Sequence, residues 1–455
     1  MYKLNLPINL FFIFFFISYV FAISSLNFLV ATSFFVLLIV VNLFQIYSQR
    51  FFSIFNTSIL IYYIFFLMVA PVVQLRIRGE TNLINTIPYD VDLIVYTNLI
   101  TSLFLIVYLI SRILFDSSTR GLNLKLPKLR VYQIGSNFHN YRLQIIALVI
   151  FMYAFNSILS SYNVMSFIGN LESYSETGNS QMSRLLERKF LYSMPVVAVI
   201  GLISIIKYHH LDSIRYKLLF ILLLAIVIFI KNPIVEHRSG FGTIYLIIAY
   251  VYFSNKLNTT SRLFIFLALV FFILFPIGEL LAPHRVVTDT SFQFFFLDVF
   301  NRVHFDSWAN ISGSILYVKQ EGVHYGVQLM SSLFFWIPRD FWELKSVASG
   351  QILGEWMVDN YAMWMTNISF PLMAEGFIDF HIIGVIVFSI MFAAIGAWID
   401  KVIHTSNNSA VFFTAIAISV STIFILRGPL LSSIAYTAGL ALGVYVISSL
   451  TVKNK

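Results

Sequence analysis

The sequence contains no cysteine and few charged residues. Of its 455 residues, only 11% are charged, whereas 59% are hydrophobic and 48 are phenylalanine. The absence of cysteine excludes disulfide bonds, thiol nucleophiles and thiolate metal sites. The scarcity of charge excludes an ordinary soluble domain, because such domains carry about 25% charged residues. The composition therefore predicts an all-α polytopic membrane protein.

Apolar stretches long enough to cross a bilayer recur along the chain. A transmembrane helix needs about 17 to 25 mostly apolar residues, and by this criterion the sequence predicts about 12 such helices. Their ranges are 8–24, 26–47, 52–73, 91–111, 143–160, 190–206, 217–232, 240–255, 262–282, 377–399, 409–427 and 430–449. The first stretch follows a lysine, as in a signal peptide, but no small-residue cleavage site follows it. We therefore expect a retained first helix.

One long segment, residues 283–371, separates the apolar spans and is rich in aromatic and charged residues. We call it the excursion. It divides the chain into spans one to nine (1–282), the excursion itself, and spans ten to twelve (372–455). Thr290 and Asp306 are candidate helix N-caps, and the apolar spacing after each predicts amphipathic helices at the membrane interface. The excursion is thus expected to be one large, partly helical loop.

The positions of lysine and arginine predict the orientation. The formal net charge is +8, but the basic residues are scattered in short loops. This pattern indicates membrane orientation and not nucleic-acid binding. The densest basic loop, 112–142, lies inside if both termini are cytoplasmic, as the positive-inside rule requires. We therefore expect both termini in the cytoplasm and the excursion outside.

Several arginines lie in the excursion or at the outer ends of predicted spans. A charge this close to the bilayer needs a partner or a function. Guanidinium groups bind phosphate oxygens through paired hydrogen bonds, so a pyrophosphate headgroup is a suitable ligand. Arg427 lies between two spans with almost no loop, where it either snorkels at a helix end or holds an anion in a polar cavity. The candidate pyrophosphate- and glycan-binding residues are Arg238, Arg285, Arg339 and Arg427.

Two carboxylates, Glu279 and Glu375, flank the excursion. Each either pairs with a nearby arginine or acts as a general base toward a hydroxyl group. His284 is a competing base. No tight histidine spacing is present, so no metal site is expected. No phosphate-binding loop, dinucleotide fingerprint or serine elbow is present either, so we expect no cofactor.

Three short motifs in the later part of the sequence resemble motifs of a known family. Pro338–Lys345 resembles a Pro-Arg-x-x-Trp-Pro-x-Lys-Pro element of the O-antigen and oligosaccharide repeat-unit polymerases of the Wzy type, although Glu343 and Ser346 stand where that element has proline. Ala374–Phe380 is similar to the Gly-Glu segment that opens the next span in that family. Arg427-Gly428 is similar to an Arg-Gly pair near the outer end of a late helix. The resemblance covers the whole chain in architecture and only its later part in motifs.

The resemblance implies a glycosyltransferase in the bacterial inner membrane. It implies that the growing glycan on undecaprenyl pyrophosphate is the donor and a newly delivered lipid-linked repeat unit is the acceptor. A chain-length regulator protein is an expected partner. The four arginines named above would contact pyrophosphate and glycan, with Arg339 also catalytic, and Glu375 or His284 would be the base. Guanidinium groups would take the place of a metal ion.

Two alternatives remain open. A lipid-linked oligosaccharide flippase has similar length and helix number, but would have two related halves and short loops on both sides of the membrane. An O-antigen ligase has a similar architecture and differs in its acceptor. A scaffold without enzymatic activity is disfavoured by the many arginines at outer helix ends.

Overall fold

The computed structural model describes residues 6–79, 89–118, 214–230, 238–254, 256–274, 299–406 and 408–451. Within these ranges the secondary structure is all helical and contains no β-strand, which confirms the all-α part of the predicted class. Among the described residues, four helices are long and apolar enough to cross a membrane: Phe28–Ser48, Ile54–Ile77, Val91–Asp116 and Leu372–Thr405. These apolar helices suggest a membrane-embedded protein, and the count of about 12 spans stays a prediction.

The first helices follow the predicted apolar stretches. They are α1 (Leu6–Ile23), α2 (Phe28–Ser48), α3 (Ile54–Tyr62), α4 (Ala70–Arg78) and α5 (Val91–Ser118). The π-helical segment Tyr63–Val69 joins α3 to α4. Polar N-caps set two of the starts, because the Asn27 side chain accepts from Leu29 N and the Ser53 hydroxyl accepts from Asn56 N.

The middle of the described chain holds α6 (Ile214–Ile230), α7 (Arg238–Phe253) and α8 (Thr260–Leu269), and α8 runs into a π-helical turn, Val270–Leu274. Thr259 caps α8, because its hydroxyl accepts from Arg262 N. The spans predicted at 143–160 and 190–206 lie outside the described residues. So does the end of the span predicted at 262–282.

The described part of the excursion is helical. Two 3₁₀ turns, Val299–Asn301 and Val303–Phe305, precede α9 (Ser307–Glu321), α10 (Val327–Leu333) and α11 (Ser349–Tyr361). The helix predicted after Asp306 is therefore confirmed, but the predicted cap is wrong, because the Asp306 carboxylate binds Ser369 and Arg427 and makes no cap hydrogen bond to α9. Its predicted apolar face is buried, since Trp308 and Ile311 are 0% exposed and Ile315 is 8% exposed. The helix predicted after Thr290 lies outside the described residues.

The beginning of this region is anchored among the preceding helices. Gln74 Nε2, in α4, donates to the carbonyl oxygens of Phe300 and Phe305 at 2.7 and 3.1 Å. Trp308 Nε1 donates to Asn98 Oδ1 in α5 at 2.8 Å. Because these donors and acceptors are buried, the bonds hold α9 firmly against α4 and α5.

The last helices are α12 (Leu372–Thr405), α13 (Ser409–Val420), α14 (Thr422–Arg427) and α15 (Leu430–Thr451). The core lies where α12 packs along α5. Ser389 Oγ donates to the Phe104 carbonyl oxygen at 2.7 Å, and the Phe55 and Phe392 rings lie 4.8 Å apart. A small hydroxyl residue in α12 allows the two backbones to approach closely.

α12 is broken near its start. Phe380 has φ −145° and ψ 23°, and His381 has φ 56° and ψ −144°, so neither continues the helix. Residues 372–379 thus form a separate stretch, which we call the half-helix. A Cβ atom added to Gly384 would lie 1.8 Å from the carbonyl oxygen of Gly376. The half-helix therefore folds back on the rest of α12 through a contact that only glycine permits.

The break predicts that the protein is more stable with glycine than with alanine at position 381. The backbone of His381 lies where glycine is common and other residues are rare, at a cost of about 1–3 kcal/mol. Glycine removes this strain and alanine keeps it, while both remove the ring contact with Phe377. We expect His381→Gly to exceed His381→Ala in free energy of unfolding by about 1 kcal/mol, after the extra chain entropy of glycine is subtracted. Thermal unfolding in one detergent measures the difference, and equal stabilities would contradict the strain.

Charged side chains are buried at the opposite end of α12. Arg112 is fully buried, and its Nη2 lies 2.7 Å from Asp400 Oδ2 and 3.6 Å from Asp116 Oδ1. Ser53 Oγ donates to Asp400 at 2.8 and 3.0 Å, and the Tyr47 hydroxyl donates to Asp116. Because a buried charge that loses its partner is costly, this cluster fixes the ends of α3 and α12 against α5.

Candidate functional site

The structure places three of the predicted site residues. Glu375 lies in the half-helix, Arg427 is the last residue of α14, and Arg339 lies in the loop after α10. Arg238 is the first residue of α7, and its side chain is outside the described part of the structure. The predicted residues that lie outside the described ranges are Glu279, His284 and Arg285.

Glu375 is 1% exposed, and both of its oxygens accept hydrogen bonds. Oε1 accepts from Leu430 N, the first residue of α15, at 2.7 Å, and Oε2 accepts from Ser349 Oγ at 2.6 Å. Leu430 N is one of the amides at a helix start that has no partner within its own helix. The carboxylate also lies at the positive end of the α15 dipole. Glu375 therefore caps α15 from a distant part of the chain.

Asp379, one turn further along the half-helix, has the same role for another helix. It is 0% exposed, and its oxygens accept from Gln328 N at 3.2 Å and from Leu329 N at 2.9 Å. Both amides belong to the first turn of α10. Two carboxylates spaced four residues apart thus face two different helix N-termini. Sequence reasoning assigned no role to Asp379, although its spacing from Glu375 places both on one helix face.

Gln328 connects the loop after α10 to the partner of Glu375. It is 1% exposed, its Nε2 donates to Ser346 Oγ at 2.6 Å, and its Oε1 lies 3.2 Å from Ser349 Oγ. Arg339 Nη2 in turn donates to the carbonyl oxygen of Ser346 at 3.2 Å. A continuous set of contacts therefore runs from Arg339 to Glu375. Sequence reasoning missed Gln328, because a single glutamine in an apolar stretch carries no spacing signal.

His324 borders the same cluster. Its backbone N donates to the Ile378 carbonyl oxygen at 2.9 Å, its Nε2 lies 2.9 Å from the Tyr317 hydroxyl, and its Nδ1 lies 3.3 Å from Gln328 Nε2. Burial lowers the pKa of His324. The ring is therefore neutral at pH 7, and Nδ1 is the acceptor because it faces an amide donor.

Arg427 pairs with a buried aspartate of the excursion. Its Nη2 donates to Asp306 Oδ1 at 3.4 Å, and its Nε donates to the carbonyl oxygen of His304 at 3.0 Å. Asp306 also accepts from Ser369 Oγ at 2.5 Å and from Asn310 Nδ2 at 2.9 Å. The Arg427 side chain remains 20% exposed. In the described structure its anionic partner is thus a protein carboxylate, and the side chain is only partly buried.

The element Pro338–Lys345 forms a tight loop between α10 and α11. Lys345 Nζ donates to three carbonyl oxygens at the end of α10, at 2.6 to 3.2 Å. Those carbonyl groups belong to Phe334, Phe335 and Ile337. All three residues follow Leu333, the last residue of α10, so the lysine holds together the turn that leads out of the helix. Arg339 is exposed, and the loop therefore presents its guanidinium to the surroundings.

The described residues contain no group of three or more His, Asp and Glu side chains placed to hold a metal ion. Comparisons of the chain with protein-family models, with curated proteins and with solved structures find no match. The chemistry of the site must therefore be argued from the residues themselves. Two features are distinctive. The buried carboxylate of Glu375 lies at the start of both α12 and α15, and arginines lie on the segments around it.

Proposed function

We propose that the protein is a polysaccharide polymerase of the Wzy type. On this proposal it lies in the bacterial inner membrane with both termini cytoplasmic and carries the excursion on the periplasmic face. It transfers the growing undecaprenyl-pyrophosphate-linked glycan to a new lipid-linked repeat unit. A chain-length regulator is a further partner.

One observation carries the proposal. The turn from Arg427 to Leu430 is bonded on one side to the excursion, through Asp306, and on the other to the half-helix, through Glu375. Arg427, whose side chain is 20% exposed, and Leu430, whose amide binds the buried carboxylate of Glu375, thus lie three residues apart at the junction of the excursion with the last helices. Transfer from a lipid pyrophosphate needs these two groups: a cation for the leaving phosphates and an acceptor for the hydroxyl proton.

The proposed reaction forms one bond and breaks another. The acceptor hydroxyl oxygen bonds to the anomeric carbon of the donor, and the bond from that carbon to the pyrophosphate oxygen breaks. The hydroxyl proton passes to Glu375, or to His284 as the alternative base, and the lipid pyrophosphate leaves. The arginines assigned to the leaving group and glycan are Arg238, Arg285, Arg339 and Arg427.

The burial of Glu375 adds a requirement to this scheme. Both of its oxygens are bonded, and its bond to Leu430 N holds the start of α15. The bond from Ser349 Oγ is the one that an acceptor can replace, because a sugar hydroxyl donates in the same way. The acceptor hydroxyl therefore takes the place of the Ser349 hydroxyl on Oε2.

Deletion of the gene, followed by gel analysis of the surface glycan, tests the function. We expect the long-chain ladder to disappear and a single repeat unit to remain attached. Loss of even the single unit would instead indicate a flippase or a ligase, because both act before or at attachment. An unchanged ladder would refute all three.

Arg339 is an exposed arginine of the excursion, and its replacement tests the site. We expect Arg339→Ala to reduce ladder formation about 100-fold, since a donor aimed at developing charge contributes on that order. The protein should remain in the membrane, because the Arg339 side chain is exposed. Lys319→Ala, at another exposed cation of the excursion, is the matched control and should keep the ladder. A normal ladder with Arg339→Ala would remove this residue from the site.

A further inference from the structure

The short helix α10 has its polar side inward and its apolar side outward. Its inward-facing residues are Gln328, Ser331 and Ser332, each 0 to 1% exposed, and its outward-facing ones are Val327, Met330 and Leu333, each 43 to 45% exposed. A helix on a water-soluble protein has the opposite pattern, with apolar residues facing the core. The three outward residues recur every third position, so they form one stripe.

The inward polar groups have protein partners. Gln328 is bonded to Ser346 and Ser349, and Ser331 Oγ accepts from Ser346 N at 3.0 Å. These hydrogen bonds therefore offset the cost of removing the polar groups from water. The outward apolar stripe has no such compensation in water. The arrangement is favourable only if the medium outside α10 is itself apolar.

The apolar surface extends beyond α10 in both directions. Before and after the helix, the most exposed large side chains are Tyr325 (81%), Trp336 (59%), Phe341 (81%) and Leu344 (85%). On the other side the surface meets α12. A Cβ atom added to Gly326 would lie 2.6 Å from the ring of Phe380, which is 37% exposed, and Ile383 beyond it is 69% exposed. Ile383 belongs to a helix that is long and apolar enough to cross a membrane.

We propose that α10 and the apolar side chains on either side of it form a membrane-inserted surface, occupied by the acyl chains and interfacial region of the bilayer in which α12 lies. The excursion then returns to the membrane between residues 325 and 344. Continuity with the outer face of α12 identifies the occupant as lipid. Arg339, Asp340 and Glu343 are exposed in the loop beyond α10, which places that loop at headgroup level. The surface is independent of any reaction the protein performs.

Single-cysteine spin labelling tests this surface directly, because the sequence has no cysteine to remove. The labels are placed by Met330→Cys and Leu333→Cys in protein reconstituted into phosphatidylethanolamine and phosphatidylglycerol vesicles. Ile383→Cys is the lipid-facing control, and Gln320→Cys, at the exposed end of α9, is the aqueous control. Collision rates with oxygen and with a polar nickel chelate are measured at each position.

We expect both α10 labels to match Ile383→Cys, with an oxygen-to-nickel accessibility ratio about tenfold above that of Gln320→Cys, since the hydrocarbon region excludes polar solutes. Nickel accessibility equal to that of Gln320→Cys would overturn the proposal, because α10 would then face water. Low accessibility to both reagents would also overturn it, since the surface would be covered by protein. Two labelled positions guard against a single disruptive substitution.

Discussion

Replacing Glu375 with glutamine is expected to abolish polymer formation while leaving the protein folded. Glutamine has nearly the same volume, and its Oε1 can accept from Leu430 N as the carboxylate does. Its amide can donate to the Ser349 hydroxyl, which then reverses its role. Glutamine cannot take up the proton of an acceptor hydroxyl, and the loss of a general base costs about 10²–10⁴-fold in rate. The glycan ladder and the amount of protein in the membrane are measured together.

The alanine variant provides the contrast. Glu375→Ala leaves the Leu430 N–H buried without its acceptor, at about 1–3 kcal/mol, whereas the Ser349 hydroxyl can still donate to Gln328 Oε1. We expect less protein in the membrane, so the alanine variant reports on folding and the glutamine variant on chemistry. A full ladder from Glu375→Gln would show that Glu375 only caps α15, and the base would then have to be sought elsewhere.

Breaking the buried Arg112–Asp400 pair is expected to destabilise the protein by about 3–5 kcal/mol, because one charge is left without a partner inside the fold. Arg112→Met leaves Asp400 unpaired, and Asp400→Leu leaves Arg112 with only the more distant Asp116. Thermal unfolding of the purified variants measures the loss. Lys401→Ala, at the exposed residue next to Asp400, is the control and should change stability by less than about 0.5 kcal/mol.

The double variant separates the contribution of the charge pair to stability from that of the packing around it. Arg112→Met with Asp400→Leu removes both charges, and replacing a buried ion pair by apolar residues is often neutral or stabilising. We expect the double variant to recover most of the stability that either single variant loses. If the double variant loses as much stability as the two single variants together, the main contribution is packing around these side chains and not the pairing of charges.

The helices could be predicted from the sequence because each apolar stretch is long and is bounded by polar residues or turn signals. α2, α5 and α15 begin or end within a few residues of the predicted spans. The break in α12 could not be predicted. Phe380 and His381 are not helix breakers, and their backbone angles follow from the contact of Gly376 with Gly384. A contact between two turns of the same chain determines the break, and no local propensity encodes it.

The candidate site could also be predicted in part. The sequence indicated that a carboxylate and an arginine beside apolar spans need partners, and Glu375 and Arg427 both have them. It did not indicate which partners, because these come from distant segments: Leu430 for the carboxylate and Asp306 for the arginine. The role of Arg339 stays a prediction.

The half-helix has a mechanical consequence. Glu375 holds the start of α15 and Asp379 holds the start of α10, and the two carboxylates are one helical turn apart. Any rotation of that turn about its axis would detach both helices at once. The start of α10, which leads into the loop that carries Arg339, and the start of α15 are therefore held by one and the same helical turn.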